Sequence, residues 1–182
     1  MIPSSVQDEP ELYTLISPYS AGLKEESEDK RRTFFEKFVK LSDNLRGILV
    51  SVETADFLKN LGDQNALSTT QVSAIAKVIR AIVVGDTFIK DMPQEIASRA
   101  GIDQQTASKL TAGIIKGLFA PALEDIKHIQ QQRFADRLHE LAQHQQNAPP
   151  QMSTPPTSPS PSREINKNNI VDLRNQRKDP QA

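Results

Sequence analysis

The sequence predicts an all-α fold, and two observations carry the prediction. Between residues 28 and 146, apolar side chains recur at three- and four-residue spacing, and no alternating run is long enough to form a strand. The 182 residues include only 7 glycines, and 37% of the chain is apolar. We therefore predict a compact bundle of five or six helices over residues 28–146, with disordered N- and C-terminal tails.

The N-terminal segment, residues 1–27, is predicted to be a disordered arm. It holds three prolines and a charged run from Lys24 to Glu28, a composition that disfavours a packed core. Tyr13, Leu15 and Ile16 are apolar, and we expect them to touch a neighbouring surface without anchoring the fold.

One helix is predicted from about Asp29 to Val50, because its apolar residues form a single stripe. A short helix follows, with Ser51 as its cap and Gly62 as its end. The apolar residues of the first helix are Phe34, Phe38, Leu41, Leu45 and Ile48, and those of the second are Ala55, Leu58 and Leu61.

The clearest helix start is at Ser68. Its side chain can accept a hydrogen bond from the backbone N–H of Gln71, and the Gln71 side chain can reach back to the Ser68 N–H. Leu67 and Val72 supply the apolar contact that accompanies such a capping box. The helix is predicted to end at Gly85, because glycine favours the left-handed conformation of a C-terminal cap.

Three further helices are predicted in the C-terminal half of the bundle. Pro93 fits the first turn of a short helix that ends at Gly101, and Asp103 can cap the next helix. Pro121 lacks an amide hydrogen, so the chain must kink or restart its helix there. The inward-facing residues are Ala107, Leu110, Ile114 and Leu118 before the proline, and Ala122, Ile126, Ile129, Phe134, Leu138 and Leu141 along one last helix after it.

The segment from Gln94 to Gly113, QEIASRAGIDQQTASKLTAG, is the most specific pattern in the chain. A small residue at Ala97 and a glycine turn at Gly101 stand between apolar positions at helical spacing. The pattern resembles the helix-turn-helix motif of bacterial DNA-binding repressors. The resemblance implies that Gln104, Gln105, Thr106 and Ser108 would face base edges and that Lys109 would lie near phosphate.

Charge argues against nucleic acid as the first choice of partner. Between Lys90 and Lys116 there are four basic and three acidic residues, whereas phosphate contacts need an excess of cations. Asp103 would also direct a carboxylate towards the DNA backbone. Because the same turn can serve packing alone, nucleic-acid binding is the alternative function.

No catalytic, metal or cofactor site is predicted. The chain has no cysteine, no phosphate-binding glycine loop, no HExxH motif and no serine nucleophile elbow. Carboxylates such as Glu124 and Asp125 are explained as surface charge or helix caps. The three histidines, His128, His139 and His144, are too widely spaced to share a metal ion. We expect no enzymatic activity, no metal and no cofactor.

Nothing in the sequence predicts a membrane segment. No apolar run approaches the roughly 18 residues that span a bilayer, and the start of the chain has neither the basic nor the apolar region of a signal peptide. Together with the lack of cysteine, these observations lead us to expect a cytoplasmic protein with no membrane partner.

The C-terminal part is predicted to be a linker followed by a basic tail. Six of the twelve prolines fall between Pro149 and Pro161, so residues 147–162 form a Pro/Ser/Thr-rich linker. The tail over residues 163–182 is polar and basic around a short apolar cluster, which we interpret as a candidate docking motif. Its residues are Ile170, Val171, Asp172 and Leu173.

The preferred function is a noncatalytic protein-interaction module, whose partner is an unknown protein or a second copy of the chain. Gly113 and Gly117, four residues apart on an apolar helix, allow another helix of the chain or of a partner to approach closely. From GDTFIKD at Gly85 to FAPALEDIKHIQ at Gln130, the sequence resembles small uncharacterised all-helical bacterial proteins. That resemblance implies no activity.

Overall fold

The structure, a computed structural model, describes residues 9–146, so residues 1–8 and the predicted linker and tail lie outside it. Every regular element of the described residues is helical, which confirms the all-α prediction. The α-helices are more numerous than the five or six predicted. They are α1 (Glu9–Ile16), α2 (Glu28–Phe38), α3 (Asp43–Val50), α4 (Val52–Gln64), α5 (Thr69–Val83), α6 (Met92–Ala100), α7 (Gln104–Ile114), α8 (Leu123–Arg133) and α9 (Ala135–Gln146).

The packed body begins before residue 28, so the prediction of a disordered arm is wrong over residues 9–27. α1 packs against α4 and α5, and Ile16 is only 1% exposed. The Tyr13 hydroxyl donates a hydrogen bond of 2.6 Å to Asp56 Oδ1 of α4. The prolines at positions 10 and 18 do not oppose the helix, because the first lies in its first turn and the second lies two residues past its end.

The single helix predicted from Asp29 to Val50 is in fact two helices, α2 and α3. Ser42 Oγ accepts a hydrogen bond from the backbone N–H of Leu45 and so caps the start of α3. The apolar stripe continues across the break because Leu41, in the turn, is itself buried. Helical spacing therefore could not reveal the break, whereas the serine that caps α3 could have.

Ser51 caps α4 as predicted, but the helix continues past Gly62 to Gln64. Gly62 is buried where α4 meets α5, and a Cβ at this position would lie 2.6 Å from Val72 Cγ2. The missing side chain thus permits a close contact between helices and does not end α4.

The capping box predicted at the start of α5 is present. The Gln71 N–H donates to Ser68 Oγ at 3.3 Å, and the Ser68 N–H donates to Gln71 Oε1 at 2.9 Å. Gly85, two residues past the helix, has a φ of +76°, as predicted for a glycine that ends a helix. α5 is buried along much of its length and contacts α1, α4 and α6.

Replacing Ser68 by alanine is expected to lower the free energy of unfolding by about 1 kcal/mol, because the Gln71 N–H loses its side-chain acceptor. Urea denaturation followed by circular dichroism measures the change. Thr70→Ala is the matched control, since its side chain is exposed within the same first turn. Equal midpoints for Ser68→Ala and the unchanged protein would contradict this role of the cap.

The hairpin of α6 and α7 has the predicted start, turn and second cap, but α7 ends at Ile114, before the predicted Leu118. Pro93 lies in the first turn of α6, and Gly101 ends that helix with a φ of +63°. Asp103 Oδ1 accepts a backbone N–H of the first turn of α7 at 2.9 Å. After α7 come a π-helical turn, Ile115–Phe119, and a 3₁₀ turn that contains Pro121, which confirms the interruption predicted at the proline.

The last predicted helix is broken at Phe134, between α8 and α9. The Phe134 ring packs on Phe88, with ring centroids 5.3 Å apart. Arg137 Cζ lies 4.6 Å from the centre of the Phe88 ring, and its guanidinium donates two hydrogen bonds to Asp91. The prediction of one helix was wrong, because the apolar spacing continues across the break. Contacts with Phe88 and Asp91, which are distant in the sequence, stabilise the break.

Candidate functional site

The hairpin of α6 and α7 is the first candidate site. Ile96, Ala107 and Leu110 are buried between the two helices and the rest of the core. Gln71 Nε2 of α5 donates a hydrogen bond of 3.1 Å to the Ala100 carbonyl at the end of α6. This hydrogen bond connects the end of α6, next to the turn, to the first turn of α5.

One face of α7 is exposed to solvent. Gln104, Gln105, Ser108 and Lys109 are exposed there, whereas Thr106 is half-buried. The Ser108 hydroxyl donates to the Gln104 carbonyl at 2.8 Å, so it is engaged within the helix. The residues that the sequence proposed for DNA contact thus lie in the first two turns of α7, with Thr106 partly covered.

The start of α7 carries a negative charge. Hydrogen bonds from the side chain and backbone of Thr106 hold the pKa of Asp103 below its usual range, so this carboxyl is ionised at neutral pH. Lys109 of α7 and Lys116 of the following π-helical turn are exposed cations. The surface offers several hydrogen-bonding groups but few cations for phosphate.

The second candidate site is a groove between α2 and the turn after α1, which we name the Phe35 groove. Its volume is about 690 Å³, and Leu23 and Phe35 are the large apolar residues of its lining. The Phe35 side chain is 41% exposed. The charged residues of the lining are Lys24, Glu28, Arg31, Arg32 and Glu36.

Phe35 belongs to an aromatic cluster with Tyr19, Phe34 and Phe38. The centroid of its ring lies 5.6 Å from that of Phe34 and 6.3 Å from that of Tyr19, and Tyr19 packs edge-on against Phe38 at 5.1 Å. Phe34 is buried, so the cluster joins the groove to the core. The Phe35 groove is therefore a preformed surface on a packed base.

The glycine pair was predicted to admit a neighbouring helix, and Gly117 does so within the chain. A Cβ at Gly117 would lie 2.6 Å from Phe57 Cε2 of α4. A Cβ at Gly113 would meet Leu61 Cδ1 at 3.8 Å, an ordinary contact. The close approach is thus used for packing against α4, and the glycines do not by themselves form a surface for a partner.

The described histidines and carboxylates singled out from the sequence are exposed or partly exposed. His128 and His139 are exposed, and the side chain of His144 lies outside the described set. Asp125 accepts hydrogen bonds from Ser42 and Asn44 of the α3 start. Across residues 9–146, no three side chains of the metal-binding types are grouped together, and no described helix has the length and apolar character needed to cross a bilayer.

Gln130 and Arg80 are buried polar residues that were not predicted from the sequence. Gln130 of α8 bonds to the backbone that connects α5 and α6, and Arg80 of α5 is paired with Glu26. Each lies four residues after a buried apolar residue, Ile126 or Ala76, and so occupies a core-facing position of the helical period. A polar residue at such a position was the signal that could have identified them.

The predicted docking motif of the tail lies outside the described residues, so only its sequence bears on its role. No protein-family model matches the chain. No curated protein and no solved structure matches it significantly either. The surfaces described above are therefore the basis for a functional proposal.

Proposed function

We propose that this chain is a noncatalytic protein-interaction module that binds a partner segment in the Phe35 groove. The observation that supports this most is the exposed aromatic ring within a groove of about 690 Å³. A rigidly held aromatic side chain at a concave surface is a common anchor of protein–protein contacts. Because the aromatic cluster already holds Phe35 in place, binding a partner costs little conformational entropy in the groove.

The charges around the groove indicate the chemistry of the partner segment. Three basic and two acidic side chains line it, and one pair among them, Arg32 and Glu36, is 3.4 Å apart. Apart from that pair, the lining holds two basic residues, Lys24 and Arg31, and one acidic residue, Glu28, which leaves an excess of one positive charge. We therefore expect an apolar anchor residue flanked by aspartate or glutamate, carried on an amphipathic segment.

The tail supplies a separate contact in this proposal. Its apolar cluster over residues 170–173 follows a proline-rich stretch, an arrangement that tethers a short motif to a folded body. Residues 163–182 carry five basic and three acidic side chains, so the motif differs in charge from the acidic segment that the Phe35 groove would take. The tail and the groove would therefore bind different partner surfaces.

Selection of a random peptide library on the immobilised full chain tests the groove. We expect the selected peptides to carry a large apolar residue with Asp or Glu beside it. Phe35→Ala and Arg31→Glu are each expected to weaken their binding by about tenfold, because one removes the apolar anchor surface and the other reverses a rim charge. Isothermal titration calorimetry measures the affinities.

Val39→Ala is the matched control for the groove variants. Val39 is an exposed apolar residue just after α2 that does not line the groove, so its truncation should leave peptide affinity unchanged. A chain that ends at residue 162 should also bind the peptides as the full chain does. Peptides that bind the Phe35→Ala variant and the unchanged chain equally would exclude the groove as the binding site.

Nucleic-acid binding is the second candidate function, and the exposed polar face of α7 is the observation that favours it. Gln104 and Gln105 are exposed at the start of the helix, where glutamine can pair with adenine. Lys109 lies one turn further along the exposed face. This function stays second because ionised Asp103 precedes these residues and few cations surround them.

Fluorescence anisotropy of the full chain with a labelled random-sequence duplex, titrated from low to physiological salt, tests this second function. If α7 contacts DNA, Lys109→Glu should weaken binding by about tenfold and flatten the salt dependence. Asp103→Asn should strengthen binding, because asparagine keeps the helix cap and removes the negative charge.

Lys40→Glu is the matched control, since it makes the same charge change at an exposed lysine in the turn after α2. Equal weakening by Lys40→Glu and Lys109→Glu would indicate general attraction to the whole surface and not recognition by α7. Absence of binding at low salt would remove nucleic acid from the candidates.

A further inference from the structure

We infer a binding site for a small organic monocarboxylate in a hollow around Arg80. This Arg80 hollow lies between α2, α5 and α6 and has a volume of about 460 Å³. Such a volume is within the range of small-molecule sites. The residues that carry the inference are Glu26, Phe34, Arg80, Ala81, Val84 and Arg99.

Arg80 is a buried cation with an unused donor. Its side chain is 8% exposed, and one guanidinium nitrogen, Nη2, donates to Glu26. The other nitrogen, Nη1, is buried and has no hydrogen-bond partner among residues 9–146. Because a buried donor without an acceptor is costly, an oxyanion that enters the hollow and accepts from Nη1 gains a charge-assisted hydrogen bond.

The guanidinium of Arg80 is held in place before any ligand arrives. Its Cζ lies 5.2 Å from the centre of the Phe34 ring, within the distance of a cation–π contact. Glu26 fixes the Nη2 edge. Little side-chain freedom is therefore lost when a carboxylate binds at Nη1.

The net charge of the lining favours a ligand with one negative charge. Four basic and three acidic side chains line the hollow, which leaves a net charge of +1. Lys77, Arg99 and Asp86 pair with Glu25, Glu95 and Lys37 outside the lining, so the surroundings hold no larger excess of positive charge that would favour a dianion. A monocarboxylate matches this balance better than a phosphate dianion.

Arg80 dominates the selectivity because two of the outer cations, Lys77 and Arg99, already have partners. Lys77 pairs with Glu25 at 3.3 Å, and Arg99 pairs with Glu95 at 2.7 Å. These pairs are partly exposed, so solvent screens their charges. The Arg80 side chain is more deeply buried than those of Lys77 and Arg99, so solvent screens its charge less.

The rest of the hollow accommodates a hydrocarbon group. Phe34, Ala81 and Val84 line it beside Arg80 and offer apolar surface. A branched carboxylic acid can cover that surface while its carboxylate meets Nη1. We therefore expect affinity to rise with the apolar area of the acid.

Chemical-shift titration of the ¹⁵N-labelled full chain with acetate, isovalerate and inorganic phosphate tests the inference. Isovalerate is expected to bind about tenfold more tightly than acetate, because its extra carbons contact the apolar lining. Phosphate is expected to bind more weakly than isovalerate. The largest shifts should fall on Arg80 and Ala81.

Two variants and a control complete the test. Arg80→Met should abolish the isovalerate shifts, and Arg46→Met, at an exposed arginine paired with Asp43, should leave them unchanged. Glu26→Gln keeps Arg80 and an amide oxygen that can still accept from Nη2, but it removes one negative charge, so it should tighten isovalerate binding by about fivefold. This second variant keeps the inference testable even if Arg80→Met fails to fold.

Three results would overturn the site. Equal affinities for acetate, isovalerate and phosphate would indicate an adventitious ion only. Shifts spread over surface lysines and absent from Arg80 would place the anions elsewhere. Isovalerate affinity that Glu26→Gln leaves unchanged would show that the Arg80 guanidinium does not bind the carboxylate.

Discussion

Alanine at Phe88 is expected to lower the free energy of unfolding by about 4 kcal/mol. The Phe88 ring is 2% exposed, so its truncation leaves a cavity that the surrounding helices close only in part. The ring also contacts α9, because Phe134 lies 5.3 Å away between centroids and the Arg137 guanidinium lies 4.6 Å from its centre. We therefore expect the substitution to loosen α9 more than α5.

Hydrogen exchange read by mass spectrometry separates the local from the global effect. In Phe88→Ala, amides of α9 should lose protection at low denaturant, whereas those of α5 should exchange only through global unfolding. Phe35→Ala is the matched control, since the same change at a ring 41% exposed should cost less than about 1 kcal/mol. Similar losses of stability in both variants would show that Phe88 does not anchor the core.

Helix starts could be predicted where a side chain supplies the cap. Ser51, Ser68 and Asp103 each accept a backbone N–H of the first turn, and residue type and spacing identified all three. Ser42 makes the same contact, but it falls inside a continuous apolar period and was missed. Local hydrogen bonding was therefore a better guide to helix boundaries than hydropathy spacing.

Helix ends and breaks that depend on distant residues could not be predicted. The break at Phe134 depends on Phe88, and Gly62 lies within α4 because its missing side chain makes room for Val72. α1 joins the core because α4 and α5 present a surface that buries Ile16. Each outcome depends on tertiary contacts, which helical periodicity does not contain.

The same distinction separates the candidate sites. The exposed face of α7 follows one helical period, so Gln104 and Lys109 could be placed on it from the sequence alone. The Phe35 groove could not, because Leu23 lies in a segment that was predicted to be disordered. Arg80 and Glu26 are 54 residues apart, and only the fold brings them together.

Methionine at Gln130 is expected to lower the free energy of unfolding by about 2 kcal/mol. The Gln130 side chain is 3% exposed and connects α8 to the segment between α5 and α6. Its Oε1 accepts from the Ile89 N–H at 3.0 Å, and its Nε2 donates to the Thr87 carbonyl at 3.1 Å. Methionine has a similar volume, so the expected loss comes from two backbone groups left without partners and not from a cavity.

A glutamate at the same position distinguishes hydrogen bonding from packing. Gln130→Glu keeps an acceptor for Ile89 but places a carboxylate against the Thr87 carbonyl, and burial raises the pKa of that carboxyl. Protonation restores a donor, so this variant should regain stability relative to the unchanged protein as the pH falls from 7 to 4.5, whereas Gln130→Met should not. Gln131→Met, at an exposed neighbour, is the control for both. Urea midpoints at the two pH values measure this difference. A glutamate variant that is equally destabilised at both would mean that the Gln130 amide stabilises the fold by packing and not by hydrogen bonding.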